Sequence, residues 1–240
     1  MKLCAIILGA GKGSRLSSDT LKPLIKINNR TIIERIVNTF SQFDSINIFI
    51  VVKKNSPIIR FMKNQCEFIF QNIPKGTGHA VKCATNIIEK YDQAFISVGD
   101  SPLISYLSLS KMMKNHIKND IDCSFLTSYF PLSYPYGSIM RDKNMNIIKC
   151  VEQKDANKEE KRIKERLSSH YLIKSDIIAK YINEIVPNIN TDEEYLTDII
   201  NILIRKNKKI EGFHVPDYHE LIGVNTPLDL IKVKKIINNE

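Results

Sequence analysis

The chain has 240 residues, 43% hydrophobic and 25% charged, a composition typical of a globular protein with a substantial core. Its net charge of +9 comes from lysines spread along the chain rather than from a basic stripe interleaved with aromatics, which argues against a nucleic-acid partner. No apolar run approaches the length of a membrane span, and the N-terminus lacks a signal-peptide pattern. We therefore expect a cytoplasmic protein without a membrane partner, in which the scattered cysteines stay reduced.

Strand and helix signals alternate along the first half of the chain. The apolar run from Leu3 to Leu8 predicts a buried strand, and Thr31 with Glu34 forms the capping-box pattern that begins a helix. Similar patterns predict strands at 46–52, 67–71 and 93–98 and a helix at 77–90. This alternation predicts an α/β fold with a mostly parallel sheet, helices on both faces, and a ligand at the carboxyl ends of the strands.

The second half of the chain is less regular. Strands are predicted at 123–130, 147–152 and 167–173, with Tyr136 and Gly137 at a turn between the first two. The charged stretch 154–166 is predicted to form an exposed helix or an ordered lid, and 196–206 an amphipathic helix. No repeat, low-complexity linker or clear boundary divides the sequence, so we expect one domain over residues 1–240.

A glycine-rich segment follows the first predicted strand. Gly9, Gly11 and Gly13 have no side chains, so backbone amides there can approach a phosphate group closely. Three cations lie in the same segment: Lys12, Arg15 and Lys22. The strand end, the glycines and the cations together predict a polyphosphate site, and the alternative on the glycines alone is a mobile turn.

Two familiar phosphate-binding loops do not fit this segment. A dinucleotide-binding fingerprint requires Gly or Ala where this chain has Ser14, followed by a helix that Pro23 would interrupt. A Walker A loop requires the pattern G-x-x-x-x-G-K-[ST], which the chain does not contain. An NAD-dependent oxidoreductase is therefore disfavoured.

A series of short motifs resembles one family in order and spacing. The motifs are LGAGKGSRL at 8–16, Lys22-Pro23, Gln71 followed by GTGHA at 76–80, VGDSPL at 98–103, Tyr136-Gly137, VEQKDA at 151–156, YLTDI at 195–199 and GVN at 223–225. Together they resemble the sugar-1-phosphate nucleotidyltransferases, and most closely the uridylyltransferase domain of the bacterial enzyme that makes UDP-N-acetylglucosamine. The resemblance covers nearly the whole chain and implies a Rossmann-like nucleotide-diphospho-sugar transferase domain.

The resemblance implies a reaction in which a sugar 1-phosphate oxygen attacks the α-phosphorus of a nucleoside triphosphate and pyrophosphate leaves. Such a reaction needs positioning and charge neutralisation rather than a strong general base. Arg15, Lys22 and Asp100 match the family's catalytic residues, and Asp100 with Asn225 matches the pair that holds Mg²⁺. By themselves, Asp100 would be a turn residue before Pro102 and Asn225 a helix N-cap.

The other matched residues fall into two groups. The resemblance implies nucleotide binding by Leu8, Gly9, Ala10, Gly11, Gly13, Gln71, Gly76 and Thr77, and acceptor binding by Gly137, Glu152, Leu167 and Tyr195. Gln71 and the amides near Gly76 match positions that read uracil. A Gln amide both donates and accepts, so CTP stays open beside the favoured UTP. His79, at the start of a predicted helix, is expected to make a structural hydrogen bond.

The sequence departs from the family at the acceptor end. Leu167 and Ser169 align with the Asn and Gly of the family's E-x-N-[ST]-G motif, and Val98 replaces an aromatic residue. Because the sugar-binding Asn is missing, we expect an acceptor other than N-acetylglucosamine 1-phosphate, such as another phosphorylated sugar or polyol. A cytidylyltransferase and a non-catalytic nucleotide-sugar-binding regulator remain the alternatives to an Mg²⁺-dependent uridylyltransferase.

Overall fold

The computed structural model describes residues 1–11 and 21–238, in which strands and helices alternate for most of the chain. The strands are β1 (Leu3–Leu8), β2 (Lys26–Ile27), β3 (Arg30–Thr31), β4 (Ile46–Val52), β5 (Glu67–Phe70), β6 (Gln93–Val98), β7 (Cys123–Tyr129), β8 (Gly137–Arg141), β9 (Ile147–Val151), β10 (Glu165–Lys174) and β11 (Ile210–His214). The helices are α1 (Ile32–Phe40), α2 (Ile58–Met62), α3 (Thr77–Ile88), α4 (Tyr106–Lys118), α5 (Ser175–Tyr181), α6 (Asp198–Arg205) and α7 (Pro227–Asn238).

A nine-stranded sheet lies at the centre, with the order β11-β7-β10-β6-β1-β4-β5 and with β8 and β9 attached beside β10. Strands β6, β1, β4 and β5 are mutually parallel, so their carboxyl ends share one edge of the sheet. Strand β10 runs antiparallel between β6 and β7. The prediction of a mostly parallel, mixed sheet is confirmed. Within the described residues, every helix is too short or too polar to cross a membrane.

The core consists of two hydrophobic clusters, one on each face of the sheet. Strand β1 shows how they arise, because alternate side chains of a strand point to opposite faces. Cys4 and Ile6 belong to the cluster covered by α3, α5 and α6, whereas Ala5 and Ile7 belong to the one covered by α1, α2, α4 and α7. All four side chains are fully buried. Because both faces of β1 are covered, its sequence is continuously apolar, as expected for a central parallel strand.

Helix α1 begins at the predicted cap. The Thr31 hydroxyl accepts a hydrogen bond from the Glu34 N–H at 3.3 Å, and the Glu34 carboxylate accepts one from the Thr31 N–H at 2.6 Å. Two unpaired amides of the first turn are thereby satisfied. The other long elements predicted in the first half are also confirmed, with ends that differ by at most two residues.

Two predictions for the second half are wrong in detail. Gly137 begins strand β8 rather than lying in a turn, because its segment pairs with β10. Within 154–166 there is one short 3-10 helix and no α-helix, so the helical alternative is wrong. Arg166 is fully buried and donates to the carbonyl of Lys161 at 2.7 Å and the Gln153 amide oxygen at 3.0 Å. Hydrogen bonds from the Arg166 side chain therefore hold this segment, in place of the backbone hydrogen bonds of a helix.

Ser169 has a strained backbone. It lies where β10 changes register against β7, and its φ is +58°, in the left-handed region that favours glycine. We expect Ser169→Gly to raise the free energy of unfolding by roughly 0.5–1 kcal/mol, because relief of the Cβ clash exceeds the added flexibility of the unfolded chain. A shift of the urea midpoint measures this. Ser169→Ala, which loses the hydroxyl but keeps Cβ, should show no such gain, and an equal gain would contradict the explanation.

Candidate active site

A cavity of about 400 Å³ opens at the carboxyl edge of the sheet. The ends of β1, β5 and β6 meet there, since Leu8, Gln71 and Val98 all line it. The complete lining consists of Leu8, Gly9, Ala10, Gly11, Lys22, Pro23, Gln71, Pro74, Gly76, Thr77, Ala80, Val98, Gly99, Asp100, Glu193, Tyr195 and Asn225. The structure thus brings together most of the residues that the sequence motifs predicted for nucleotide and metal binding.

Lys22, Asp100 and Asn225 converge at this cavity. The Lys22 Nζ lies 2.9 Å from Asp100 Oδ2 and 2.8 Å from Asn225 Oδ1. The side chains of Lys22 and Asp100 are only 14% and 23% exposed, so water screens their attraction less than it would at the surface. A carboxylate oxygen and an amide oxygen therefore face one cation, although more than 120 residues separate them in the chain.

Asp100 is placed by close contact between two strand ends. The Gly99 N–H donates to the Leu8 carbonyl at 3.0 Å, and a Cβ at position 99 would lie 2.8 Å from that oxygen. Only glycine allows β1 and β6 to approach so closely here. The loop after residue 222 joins the same point, because the Val224 N–H donates to the Asp100 carbonyl at 2.8 Å.

Asn225 does not cap α7, although it lies just before the helix. Thr226 has that role: its hydroxyl accepts from the Asp229 N–H at 3.2 Å, and Asp229 Oδ2 accepts from the Thr226 N–H at 2.8 Å. Pro227 is the first helical residue, where a missing N–H costs nothing. Since the cap is provided by its neighbour, the Asn225 side chain is available to the cavity.

The loop from Lys75 to Gly78 is fixed by a second segment of the chain. The Glu194 N–H donates to the Lys75 carbonyl at 2.7 Å, and the Gly78 N–H donates to the Glu194 carbonyl at 2.8 Å. The Thr77 hydroxyl accepts from the Leu196 N–H at 2.9 Å. Thr77 was predicted to bind nucleotide, and the structure shows that its hydroxyl also anchors the loop that carries Tyr195 into the cavity.

Gly137 and Glu152 form a second cluster next to this loop. The Thr197 hydroxyl donates a short hydrogen bond to Glu152 Oε1, and the Thr197 methyl lies 3.7 Å from where a Cβ of Gly137 would be. Burial raises the pKa of the Glu152 carboxyl, and the charges of Asp198 and Asp155 raise it further, against the opposing effect of the Thr197 hydrogen bond. A polar acceptor group is therefore held close to, but outside, the lining of the cavity.

Leu167, which was assigned to the acceptor end, lies in strand β10. Its side chain is 2% exposed and belongs to the hydrophobic cluster that also contains residues of α5 and α6. Its backbone pairs with Gly137, another residue assigned to acceptor binding. Arg15 and Gly13, and with them Lys12, lie outside the described residues.

Thr197 and Glu193 are two polar residues of this region that the sequence analysis did not assign to the site. Thr197 fixes Glu152, and Glu193 lines the cavity. Thr197 does belong to the quoted YLTDI motif, which could have drawn attention to it. No sequence pattern marks Glu193, because its position depends on the pairing of Glu194 with the loop at 75–78.

The chain is similar to known proteins over nearly its whole length. Residues 4–223 match the nucleotidyl transferase family. The chain is 34% identical over 236 residues to the bifunctional protein GlmU of Thermoanaerobacter pseudethanolicus, a match that covers 98% of this chain and 51% of that protein. It is 32% identical over 235 residues to the GlmU protein of Streptococcus mutans, covering 97% and 51%. The chain thus spans about half the length of these curated relatives.

Solved structures share the fold. A UDP-glucose pyrophosphorylase complexed with UDP-glucose superposes with a TM-score of 0.79 at 18% identity, covering 100% of this chain and 99% of the other. A CMP:2-keto-3-deoxy-manno-octonic acid synthetase complexed with CTP superposes with a TM-score of 0.72 at 14% identity, with the same coverage. At these identities the likeness concerns the fold alone. The family match over most of the chain shows that this protein belongs to the nucleotidyl transferase family.

Proposed function

We propose that this protein transfers a nucleoside monophosphate from a nucleoside triphosphate, preferentially UTP, to a phosphorylated sugar or polyol, with release of pyrophosphate. The observation that carries the proposal is the convergence of Lys22, Asp100 and Asn225 at a cavity that is also lined by Gly9, Ala10 and Gly11. Small residues there let backbone amides approach phosphates, and the neighbouring cation offsets their charge.

The chemistry fits a site built for positioning. The acceptor phosphate is already an anion, so no group has to remove a proton from it before it attacks the α-phosphorus. Among the described residues that line the cavity there is neither histidine nor cysteine, and the carboxylates present are Asp100 and Glu193. Lys22 has a role that suits this chemistry, since its ammonium can move from Asp100 to phosphate oxygens as negative charge builds up on the leaving pyrophosphate.

Asp100 and Asn225 have the donor chemistry for Mg²⁺. In this structure Asp100 Oδ2 and Asn225 Oδ1 both lie within 2.9 Å of the Lys22 ammonium. Both atoms are hard oxygen donors. Among the described residues no group of three or more acidic, histidine or cysteine side chains competes as a metal site. A bound Mg²⁺ would supply charge neutralisation at the phosphates, with its remaining positions filled by water and phosphate oxygens.

The acceptor is proposed to bind between Tyr195 and the cluster of Gly137 and Glu152. Glu152 can accept hydrogen bonds from hydroxyl groups, which are common to sugars and polyols. The Leu167 side chain is apolar, so it offers no hydrogen bond to an acceptor in this region. We therefore propose that N-acetylglucosamine 1-phosphate is not the preferred acceptor.

A screen of UTP, CTP, dTTP and ATP against a panel of phosphorylated sugars and polyols tests the proposal. Pyrophosphate release, with mass spectrometry of the nucleotide products, is the readout. We expect turnover with UTP and at least one acceptor in the presence of Mg²⁺. Tight binding of a nucleotide sugar without turnover of any pair would instead support a regulator, and a UDP-N-acetylglucosamine product in preference to all others would refute the acceptor assignment.

Removal of the Lys22 ammonium should strengthen metal binding in the absence of nucleotide. In the structure that ammonium bonds both oxygens proposed as metal ligands, so a divalent cation has to compete with it. We expect Lys22→Met to bind Mn²⁺ about tenfold more tightly, because charged hydrogen bonds of roughly 1.5–3 kcal/mol no longer oppose binding. Titration calorimetry or electron paramagnetic resonance measures this. Lys26→Met, at an exposed position nearby, is the control, and equal or weaker Mn²⁺ binding by Lys22→Met would contradict the assignment.

A further inference from the structure

The Gln71 side chain is held by two hydrogen bonds at the edge of the cavity. Its amide Nε2 lies 3.1 Å from the Gly76 carbonyl and 2.8 Å from His79 Nδ1. A carbonyl oxygen can only accept, so the group facing Gly76 must be the amide nitrogen rather than the amide oxygen. Gln71 is 2% exposed, which leaves little freedom for the amide to turn.

The same geometry fixes the proton on His79. Because Gln71 Nε2 is a donor without acceptor capacity, His79 Nδ1 has to accept, and the neutral ring then carries its proton on Nε2. Both hydrogens of the Gln71 amide are thereby used. Gln71 Oε1, which has no partner among the described residues, is the remaining polar atom of a side chain that lines the cavity.

A backbone donor follows Gly76, the residue whose carbonyl the Gln71 amide bonds. Thr77 is the first residue of α3, and its N–H has no acceptor among the described residues, whereas its hydroxyl already bonds the Leu196 N–H. Because Gln71 and Thr77 both line the cavity, its edge offers a backbone donor as well as the Gln71 acceptor. Uracil presents an N3–H donor beside its O4 acceptor, which complements that pair, whereas cytosine presents the reverse arrangement of N3 acceptor and N4 donor.

We propose that His79 is a positioning residue that selects the base: by accepting from Gln71, it holds the amide in the orientation that favours uracil or thymine over cytosine. This inference rests on the proposed function and deepens it. His79 does not have to touch the nucleotide. Its effect passes through the orientation of Gln71, which without His79 is fixed by the longer Gly76 contact alone.

The test compares UTP and CTP in His79→Phe, which removes the acceptor, and His79→Asn, whose side-chain oxygen can take the place of Nδ1. Calorimetry without acceptor substrate gives the two dissociation constants, and pyrophosphate release gives the two kcat/KM values. We expect the wild-type preference for UTP to fall about tenfold in His79→Phe, as for the loss of one hydrogen bond, and to be largely kept in His79→Asn. A residue needed only for packing would not give this pattern, because Phe fills more of the space than Asn.

The outcomes separate this inference from the proposed function. An unchanged ratio of UTP to CTP affinity in a folded His79→Phe protein would overturn the role of His79 while leaving nucleotidyl transfer intact. If the wild type bound and turned over no nucleotide, the proposed function would be refuted, and this inference with it. Nitrogen-15 NMR of the wild-type imidazole is a further check that needs no variant: we expect the proton on Nε2, and a proton on Nδ1 would overturn the inference.

Discussion

Asp100→Asn should lower the turnover number on the order of a hundredfold or more at saturating Mg²⁺, while the protein stays folded. The substitution keeps the shape of the side chain and an oxygen that can accept from Lys22, so the local structure should survive. It removes the negative charge that we propose to hold Mg²⁺ against the phosphates, and with it the charge stabilisation of the transition state. Pyrophosphate release beside a thermal melt measures both effects.

A matched control is Asp44→Asn, an exposed position at the opposite, amino edge of the sheet before β4. It should leave turnover within twofold of the wild type. Near-wild-type turnover by Asp100→Asn would show that this carboxylate is not the proposed metal ligand. A large increase in KM with kcat unchanged would instead show that Asp100 contributes to substrate binding and not specifically to the transition state.

Gly76→Ala should lower the free energy of unfolding by about 3 kcal/mol, the largest stability effect we expect from a single methyl group in this chain. The φ of Gly76 is +102°, a conformation that other residues rarely adopt. A Cβ there would also collide with the Glu194 carbonyl oxygen, which is backbone and cannot turn away. The contact between the loop at 75–78 and the segment at 194–196 would have to open.

Nucleotide affinity should fall together with stability, because the same loop positions Gln71 and Tyr195 at the cavity. Urea denaturation and calorimetry with UTP measure the two effects. Gly137→Ala is the control for adding a methyl group: its φ is not left-handed, and the nearest atom to its Cβ would be the Val151 carbonyl oxygen at 3.4 Å, an ordinary contact. We expect a change within about 1 kcal/mol there. Equal destabilisation by both variants would mean that the strain at position 76 has been overestimated.

Local patterns in the sequence were sufficient to predict the elements that form the parallel part of the sheet. β1, β4 and β6 have the predicted bounds because an apolar run that is covered on both faces has one stable solution, a central strand. α1 begins at Thr31 because its cap depends on residues only three positions apart. The glycine segment and the ends of these strands could likewise be assigned to one sheet edge, because parallel strands have their carboxyl ends on the same side.

Contacts between distant parts of the chain decided the rest. The sequence shows only that 154–166 is charged, and its irregular structure depends on hydrogen bonds to the buried Arg166. Gly137 belongs to a strand because its segment pairs with β10. The sequence also allowed Asn225 to be the N-cap of α7, and only the structure shows that Thr226 is the cap. Leu167 aligns with a sugar-binding position, and its pairing with Gly137 across β10 and β8 is visible only in the structure.

The sequence by itself thus determined the fold class, the family and the residues at the strand ends, because these depend on local periodicity and short motifs. Only the tertiary structure decided how those residues meet. The Lys22 ammonium lies between Asp100 and Asn225, and the Gln71 amide is oriented by His79 and Gly76. The physical reason is that a hydrogen bond depends on distances of a few tenths of an ångström, whereas spacing along the chain fixes only which residues lie at the same edge.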